Sequence, residues 1–373
     1  MQHQSHPEAM SSRERLDAAF ALRQPDRTPV LGGMIACPEH IMKIAGVDAG
    51  TYWSDPTGVS IEAYGRLGAD GLLGLYVPPR TDDYRCVDHE TYSHARTGQS
   101  LEDALEEIDF MPGPEQAENE LDFEDAYGRL RQSVLRMQEQ CGDMLHIPPQ
   151  WGLGAQVCWY TVFGYENYFC VVGLYPDRAR KLMELGGVYG RFKARLVARA
   201  FQEGIFPPVV YFGEDICTQR GPMISPDFLE KYFLPELKRG LEPVLEVGCK
   251  PIWHCDGDVR LLLPLLFDAG IQGLQGFQPE CGLTIDEVAQ MRTRDGEPLV
   301  IFGPLAVTTE MPVCTPDEIR RKTRHAISIC RQNGAGLCLF TSNTINPDVP
   351  LENILAMHEA AREDEDVDTR AKL

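Results

Sequence analysis

Four short polar segments carry the side chains most able to do chemistry. They are Glu214-Asp215, His254-Cys255-Asp256-Gly257, Gln278-Pro279-Glu280-Cys281 and Thr341-Ser342-Asn343. Each one follows a run of apolar residues that is predicted to be a buried strand. The carboxyl ends of parallel strands around a common axis meet at one mouth, so these segments are expected to converge.

A cluster of carboxylates beside a histidine predicts a divalent metal site. Several carboxylates cannot be buried together unless a cation or protons neutralise them. His254 is the expected nitrogen ligand. The candidate anionic ligands are Glu214, Asp256, Glu280 and Cys281, of which only some are needed. For catalysis the sequence favours His254, Asp256 and Asp215.

Each of these assignments has a simpler structural alternative. His254 could be a hydrogen-bonded core imidazole, and Cys281 a plain buried thiol. Glu214-Asp215 could cap a helix or pair with Arg220. Asp256-Gly257-Asp258 could form only a tight turn, for which Gly257 is suited.

An aromatic cluster follows the third predicted strand. Its members are Trp151, Trp159, Tyr160, Phe163, Tyr165, Tyr168 and Phe169. Such residues either line an apolar pocket for a flat substrate or pack a helix on the rim. With a pocket, we expect Trp151, Trp159, Tyr160 and the distant Asn343 to bind the substrate.

The elements that would position these residues follow a repeated β/α order. Eight apolar, β-rich runs are found at 28–34, 68–76, 144–152, 208–215, 250–257, 271–280, 299–307 and 336–345. Their hydrophobicity is continuous, which indicates strands covered on both faces. Helices are predicted at Pro226 to Val247, after an N-cap at Ser225, and at Asp317 to Asn333. The predicted fold is α/β, a (β/α)8 TIM barrel.

One domain is predicted for residues 1–373. It has an N-terminal extension (1–27), an insertion between strands 2 and 3 near the barrel mouth (77–143) and an acidic tail (362–373). The acidic part of the insertion, 101–124, is expected to form a helix and a hairpin over the mouth.

Composition excludes several classes of partner. The formal charge of −21 disfavours nucleic acid and anionic membranes. The first residues lack a signal-peptide pattern and no run is long enough to span a bilayer, so a cytoplasmic protein is expected. The 12 cysteines form no CxxC pair, and no nucleotide-binding or HExxH motif is present. NAD and ATP are therefore not expected.

Four segments in order resemble the uroporphyrinogen decarboxylase superfamily. They are 13–16 with 24–30 (Arg-Glu-Arg-Leu and Gln-Pro-Asp-Arg-Thr-Pro-Val), 213–215 with 221–226 (Gly-Glu-Asp and Gly-Pro-Met-Ile-Ser-Pro), 254–257, and 346–350 with 352–353 (Asn-Pro-Asp-Val-Pro and Glu-Asn). The resemblance covers residues 12–362 and implies a single β/α barrel. The true decarboxylases carry an arginine motif near the N-terminus, but the equivalent 31–36 has no arginine. Porphyrinogen decarboxylation is therefore not expected.

The resemblance is nearer to the corrinoid-dependent methyltransferase branch of that superfamily. Its thiol-activating members use His-x-Cys and a distant cysteine as zinc ligands, and in this chain those positions are Asp256 and Asn343. A site without both thiolates is unsuited to thiol activation, and a site with carboxylates better polarises an oxygen. The resemblance implies zinc, with a corrinoid (cobalamin) carried by a partner protein.

The predicted function is O-demethylation. A methyl group would move from a methoxylated, aromatic small molecule to the cobalt of a corrinoid protein, with a metal as Lewis acid. The alternative is a decarboxylase or other lyase on a small carboxylated substrate, with Asp215 or Asp256 as acid and His254 as base. A binding or regulatory barrel is a third class, and the sequence leaves a homodimer open.

Overall fold

A computed structural model describes residues 10–78, 80 and 99–363 of the chain. Each of the eight predicted runs contains a parallel strand. The eight are β1 (Leu31–Gly32), β2 (Gly71–Leu73), β3 (Leu145–Ile147), β4 (Val209–Gly213), β7 (Lys250–His254), β8 (Gly273–Gln275), β9 (Val300–Leu305) and β10 (Gly336–Thr341). A short antiparallel hairpin, β5 (Cys217–Thr218) and β6 (Gly221–Pro222), follows β4.

The parallel strands form two hydrogen-bonded sheets. One has the order β1-β2-β3 and the other β10-β9-β8-β7-β4. A bridge between Val30 and Leu339 joins β1 to β10. On the other side, the Gln150 amide after β3 donates to the Tyr211 carbonyl of β4 at 2.8 Å. The chain is thus an α/β protein with parallel sheets, and over the residues that the structure describes the ladder of paired strands is not a continuous ring.

Alternate strand residues face a common apolar interior. Tyr211, Ile252 and Phe302 pack in one cluster with residues of β1, β2, β3 and β10, whereas Phe212 and Trp253 pack in the outer core. Leu16 and Phe20 of the first helix close the inner cluster. Because side chains alternate along a strand, the residues two positions after Ile252 and Gly273 face the same interior.

Helices connect the strands and cover the sheets. They are α1 (Ser12–Phe20), α2 (Pro38–Ala45), α3 (Ala49–Ser54), α4 (Pro56–Leu67), α5 (Leu101–Phe110), α6 (Pro114–Asn119), α7 (Phe123–Cys141), α8 (Tyr160–Phe163), α9 (Tyr165–Leu174), α10 (Pro176–Gln202), α11 (Pro226–Phe228), α12 (Leu234–Glu246), α13 (Leu263–Ala269), α14 (Ile285–Val288), α15 (Pro316–Asn333) and α16 (Leu351–Arg362). A π-helical turn spans Leu229–Phe233 and a 3-10 turn spans Pro279–Cys281.

Local signals explain where the two predicted helices begin and end. The Ser225 side chain caps α11 by accepting from the Phe228 amide, and the helix continues to Glu246 through the π turn. Thr315 forms a capping box with Glu318 at the start of α15, and Gly334 ends it in a left-handed conformation.

The described part of the predicted insertion is helical. Of residues 77–143, the range 99–143 holds α5, α6 and α7 and no hairpin, whereas 79 and 81–98 lie outside the described residues. Arg178 and Arg191 of α10 pair with Asp109 at 2.6 Å and Glu118 at 2.9 Å. The helices α5 and α6 therefore lie against α10. Of the predicted extension and tail, 1–9 and 364–373 also lie outside the description.

The arginines of the opening segment have a structural role. Arg15 and Arg27 both bind Asp70, which is fully buried, at 2.7 and 2.8 Å, and Arg15 also binds Asp26 at 2.7 Å. Asp70 accepts from the Val30 amide as well, at 2.9 Å. This network ties the N-terminal helix to the strands β1 and β2. Among the described helices, none is long and apolar enough to cross a bilayer.

Two buried histidines predict acid sensitivity of the fold. Burial lowers the pKa of His146 and of His358 to about 4. Below a pH of about 6.5 the unfolded chain binds protons at these positions that the folded chain does not. The free energy of unfolding should therefore fall as the pH is lowered from about 6.5 towards 4, which urea titrations can measure. His358→Gln should make this pH dependence shallower, whereas the control Met357→Leu should not. An unchanged slope in His358→Gln would contradict the prediction.

Candidate metal centre

The strand register brings His254 and Gln275 side by side at the carboxyl ends of β7 and β8. His254 pairs with Gly213 on one side and with Gln275 on the other. Gly213 is needed for this close approach, since a Cβ there would lie 2.0 Å from the His254 carbonyl oxygen. Both polar side chains are buried, and by strand alternation both face the interior.

The two nitrogens of the His254 ring have different surroundings. Nδ1 lies 2.6 Å from Oε1 of Gln275. Nε2 lies 3.4 Å from Oδ1 of Asp215 and 3.8 Å from Oδ1 of Asp256. One nitrogen is thus held by the neighbouring strand and the other faces two carboxylates.

Asp215 and Asp256 are held in place by backbone and side-chain donors. The Asp256 amide donates to Oδ1 of Asp215 at 2.9 Å. The Asn343 amide group donates to Oδ2 of Asp256 at 2.5 Å, whereas Oδ1 of Asp256 is buried and has no hydrogen-bond partner among the described residues. Tyr160 holds the chain here by donating its hydroxyl to the Asp215 carbonyl at 2.9 Å. A buried carboxylate oxygen without a partner is therefore aimed at the imidazole.

The electrostatics of the group favour a positive charge between its members. Burial alone would lower the pKa of His254, but Asp215 and Asp256 raise it to about 9. Burial would raise the pKa of Asp215, yet the same imidazole holds it below its ordinary value. Burial, with the nearby Asp215 and Glu280, raises the pKa of Asp256 to about 6. The site stabilises one extra positive charge and resists a second full negative one.

Asp215, His254 and Asp256 fit the requirements of a divalent cation. Their ligand atoms all lie within 4.8 Å of one another. Ligand bonds of about 2.1 Å in a tetrahedral zinc site put donor atoms about 3.4 Å apart, near the separations found around Nε2. Three protein ligands also leave a position for a substrate, as in catalytic zinc sites.

The other predicted ligands lie outside this group of three. Oε2 of Glu214 accepts from the Val157 amide at 3.1 Å and from the Cys158 amide, so its carboxylate is held by another loop. Glu280 accepts from the Thr308 hydroxyl at 2.5 Å, and its second oxygen is buried without a hydrogen-bond partner in the described part of the chain. The Cys281 thiol lies 3.4 Å from the Gln278 side chain. Among these, Glu280 is near enough to influence Asp256.

The predicted aromatic residues divide between the site and the core. Trp151 is 49% exposed, and its ring meets the His254 ring edge to face, 5.8 Å between centroids. Trp159 and Tyr160 are buried; Trp159 stacks on Phe163 at 6.5 Å, and Tyr160 stacks on Tyr165 at 4.4 Å. Only Trp151 of the three offers an open aromatic face beside the imidazole.

One residue that completes the site, Gln275, was not singled out from the sequence. Gln275 is 1% exposed. Its Oε1 accepts a hydrogen bond from the Tyr211 hydroxyl at 2.8 Å and also contacts Nδ1 of the His254 ring. The signal was available in the sequence, since a glutamine inside an apolar strand needs buried partners. Gln278, which was noted, instead adopts a left-handed φ of 31° and binds the Gly257 amide.

Comparisons with known proteins find one family and a solved structure that this chain resembles. Residues 213–364 match the family described as "Uroporphyrinogen decarboxylase (URO-D)". No curated protein matches the chain. Among solved structures, a methyltransferase from Methanosarcina mazei matches with a TM-score of 0.61 and 14% identity, over 95% of this chain and 99% of that one. At this identity the likeness shows the fold alone. The segment 213–364, which carries all three residues of the candidate metal centre, is therefore similar to the uroporphyrinogen decarboxylase family, in line with the resemblance seen in the sequence motifs.

Proposed function

We propose that the protein is a metal-assisted methyltransferase that removes the methyl group of a small methyl ether. The observation that carries the proposal is the imidazole nitrogen Nε2 of His254, which faces the carboxylates of Asp215 and Asp256 in a buried setting. Without a proton or a cation, a nitrogen lone pair would meet two negative charges there. A methyltransferase shares the fold over nearly the whole chain, which supports the same class of reaction.

The chain's own residues would hold a divalent cation, and we infer zinc. His254, Asp215 and Asp256 would be the ligands, and when bound the cation supplies Lewis acidity toward the ether oxygen. Asn343 holds Asp256 by one oxygen and leaves the other free for this role. Tyr160 holds the backbone of Asp215 in place by donating its hydroxyl to the Asp215 carbonyl. Together these contacts preorganise the ligand set before a substrate arrives.

The substrate class follows from the ligand set and from Trp151. Two carboxylates and one imidazole form a hard site that suits an oxygen donor better than a thiol. The exposed Trp151 ring lies beside the imidazole and offers an aromatic face for a flat substrate. A methoxylated aromatic compound fits both features. Its C–O bond would break with both electrons left on oxygen, which then takes up a proton.

The methyl acceptor would be a corrinoid on a partner protein. A methyl ether needs a strong nucleophile at the methyl carbon, and the electron pair of reduced cobalt supplies it. The methyl carbon would then bond to cobalt as the aryloxide leaves. An open mouth with an exposed Trp151 is compatible with transient docking of such a partner.

We also infer that the two sheets are arcs of one eight-stranded barrel. The inner cluster draws side chains from β1, β2, β3, β4, β7, β9 and β10, which supports an arrangement of these strands around one interior. β8 adds Gly273, where a Cβ would lie 2.3 Å from the Val300 carbonyl oxygen. The candidate metal centre would then lie at the carboxyl ends of the barrel strands.

A lyase is the second candidate function. The raised pKa values of two neighbouring groups in the site favour it. Asp256, with a pKa raised to about 6, and His254, with a pKa raised to about 9, could exchange a proton with a small carboxylated substrate. This chemistry would need no cation. Dependence of turnover on metal therefore separates the two functions.

Metal analysis tests the ligand set. We expect about one equivalent of zinc in gently purified protein, with three protein ligands as in catalytic zinc sites. His254→Ala and Asp256→Asn should weaken zinc binding by more than about 100-fold, because each removes a ligand. The control His325→Ala changes an exposed histidine that pairs with Asp286 and should bind zinc like the unmodified protein. Less than about half an equivalent of any divalent metal would contradict the proposed site.

Methyl transfer itself can be followed spectroscopically. We expect methylcobalamin to form when the zinc-loaded protein is incubated with cob(I)alamin and methoxyarenes, but not with methylamines or methyl thioethers. Trp151→Ala should raise KM for the arene by about tenfold or more, since it removes the aromatic face. The control Phe110→Ala changes an 87% exposed aromatic residue on α5 and should leave KM unchanged. If no compound in the panel gave methylcobalamin, and turnover of a small carboxylated substrate survived chelation, the lyase would be supported instead.

A further inference from the structure

We propose that Gln275 is a positioning residue that fixes the protonated nitrogen of His254 at Nδ1, and so commits Nε2 to the metal. The inference rests on the proposed metal-assisted function. According to this inference, a buried amide determines which nitrogen of the imidazole carries the hydrogen. The ligand set can form only if the nitrogen that faces the aspartates has the lone pair.

The amide group of Gln275 has only one satisfactory orientation. Its Nε2 donates to the backbone carbonyls of Thr341 and Ser342, at 3.1 and 3.0 Å, across the inside of the sheet. Turning the amide over would place its oxygen against these two carbonyl oxygens. Such buried acceptors without donors are costly, so the glutamine oxygen is fixed on the other side.

The fixed oxygen requires donors from both of its neighbours. Oε1 accepts from the Tyr211 hydroxyl at 2.8 Å and lies 2.6 Å from Nδ1 of His254. A carbonyl oxygen cannot donate, so Nδ1 must carry the hydrogen. In a neutral imidazole the other nitrogen, Nε2, then carries the lone pair. That nitrogen is the one directed at Asp215 and Asp256.

The ring is also confined sterically. Gly276 has a left-handed φ of 71°, and a Cβ there would lie 2.4 Å from Nδ1 and 2.6 Å from Cε1 of His254. Trp151 meets the ring from another side. Glycine at 276 therefore lets the imidazole lie against the backbone of the next strand, where the amide of Gln275 can reach it.

A glutamine meets these demands in a way that a glutamate could not. Metal-binding histidines often donate their second N–H to a carboxylate. A carboxylate at 275 could accept from the ring but could not donate to the carbonyls of Thr341 and Ser342 unless protonated. The neutral amide also adds no third negative charge near Asp215 and Asp256. Gln275 thus orients His254 without changing the net charge of the site, to which the two aspartates contribute the negative charges.

Zinc affinity and nitrogen NMR test the inference. Gln275→Leu should weaken zinc binding by about 10–100-fold, as is typical for the loss of a group that orients a metal ligand. Asn353→Leu is the matched control: it removes a buried amide that also donates to two carbonyls, those of Met311 and Cys314 at 2.8 and 2.7 Å. This control should lose stability but keep its zinc affinity. Zinc affinity of Gln275→Leu within about threefold of the unmodified protein would overturn the inference.

A second measurement, the 15N NMR signals of His254 in the unmodified protein, does not depend on how well the Gln275→Leu variant folds. They can be assigned by their loss in His254→Gln. In the unmodified zinc-loaded protein we expect a hydrogen-bonded Nδ1–H and zinc on Nε2, whereas zinc on Nδ1 would overturn the inference. Gly276→Ala should disturb the same signals. Protein that binds zinc through Nε2 but transfers no methyl group would refute the proposed function and leave the role of Gln275 standing.

Discussion

The orientation of the His254 ring is the constraint on which the candidate site depends. One ring nitrogen is bound to Gln275 inside the sheet, so the other must face Asp215 and Asp256. At low effective dielectric constant, this arrangement is favourable only when a positive charge lies among the three groups. A proton meets the requirement, and so does a metal ion. The same geometry is therefore compatible with both candidate functions.

The fold satisfies this constraint with backbone contacts more than with long side chains. His254 and Gln275 are cross-strand neighbours at one level of the sheet. Gly213 allows β4 to approach the backbone of His254, and Gly276 allows the chain after β8 to approach its ring. The aspartates lie just beyond the strand ends, where the chain can turn. Asp215 accepts from the backbone amide of Asp256, so the loop after β7 helps to place the carboxylate that follows β4. Sites built on strand ends are held more rigidly than sites on free loops.

The sequence predicted the architecture more accurately than it predicted the contacts within the candidate site. Continuous apolar runs are a strong signal, and each of the eight contains a parallel strand, although the strands are shorter than the runs. Which carboxylates would meet His254 was less predictable. Glu214 and Asp215 are adjacent, and only the local turn directs the first to the Val157 amide and the second to the imidazole. Such a difference depends on backbone torsion angles that no spacing pattern reports.

The positions where this chain differs from the thiol-activating relatives are linked in space. Asp256 and Asn343, which occupy the places of the two zinc-binding cysteines implied by the resemblance, bind each other at 2.5 Å. The asparagine holds one oxygen of the aspartate and directs the other toward His254. A single change at either position would leave a thiolate beside a carboxylate, or an aspartate without its donor. Under the proposed function, and with the ligands that the resemblance implies, the two differences amount to one exchange, in which a soft ligand pair is replaced by one hard ligand and the residue that orients it.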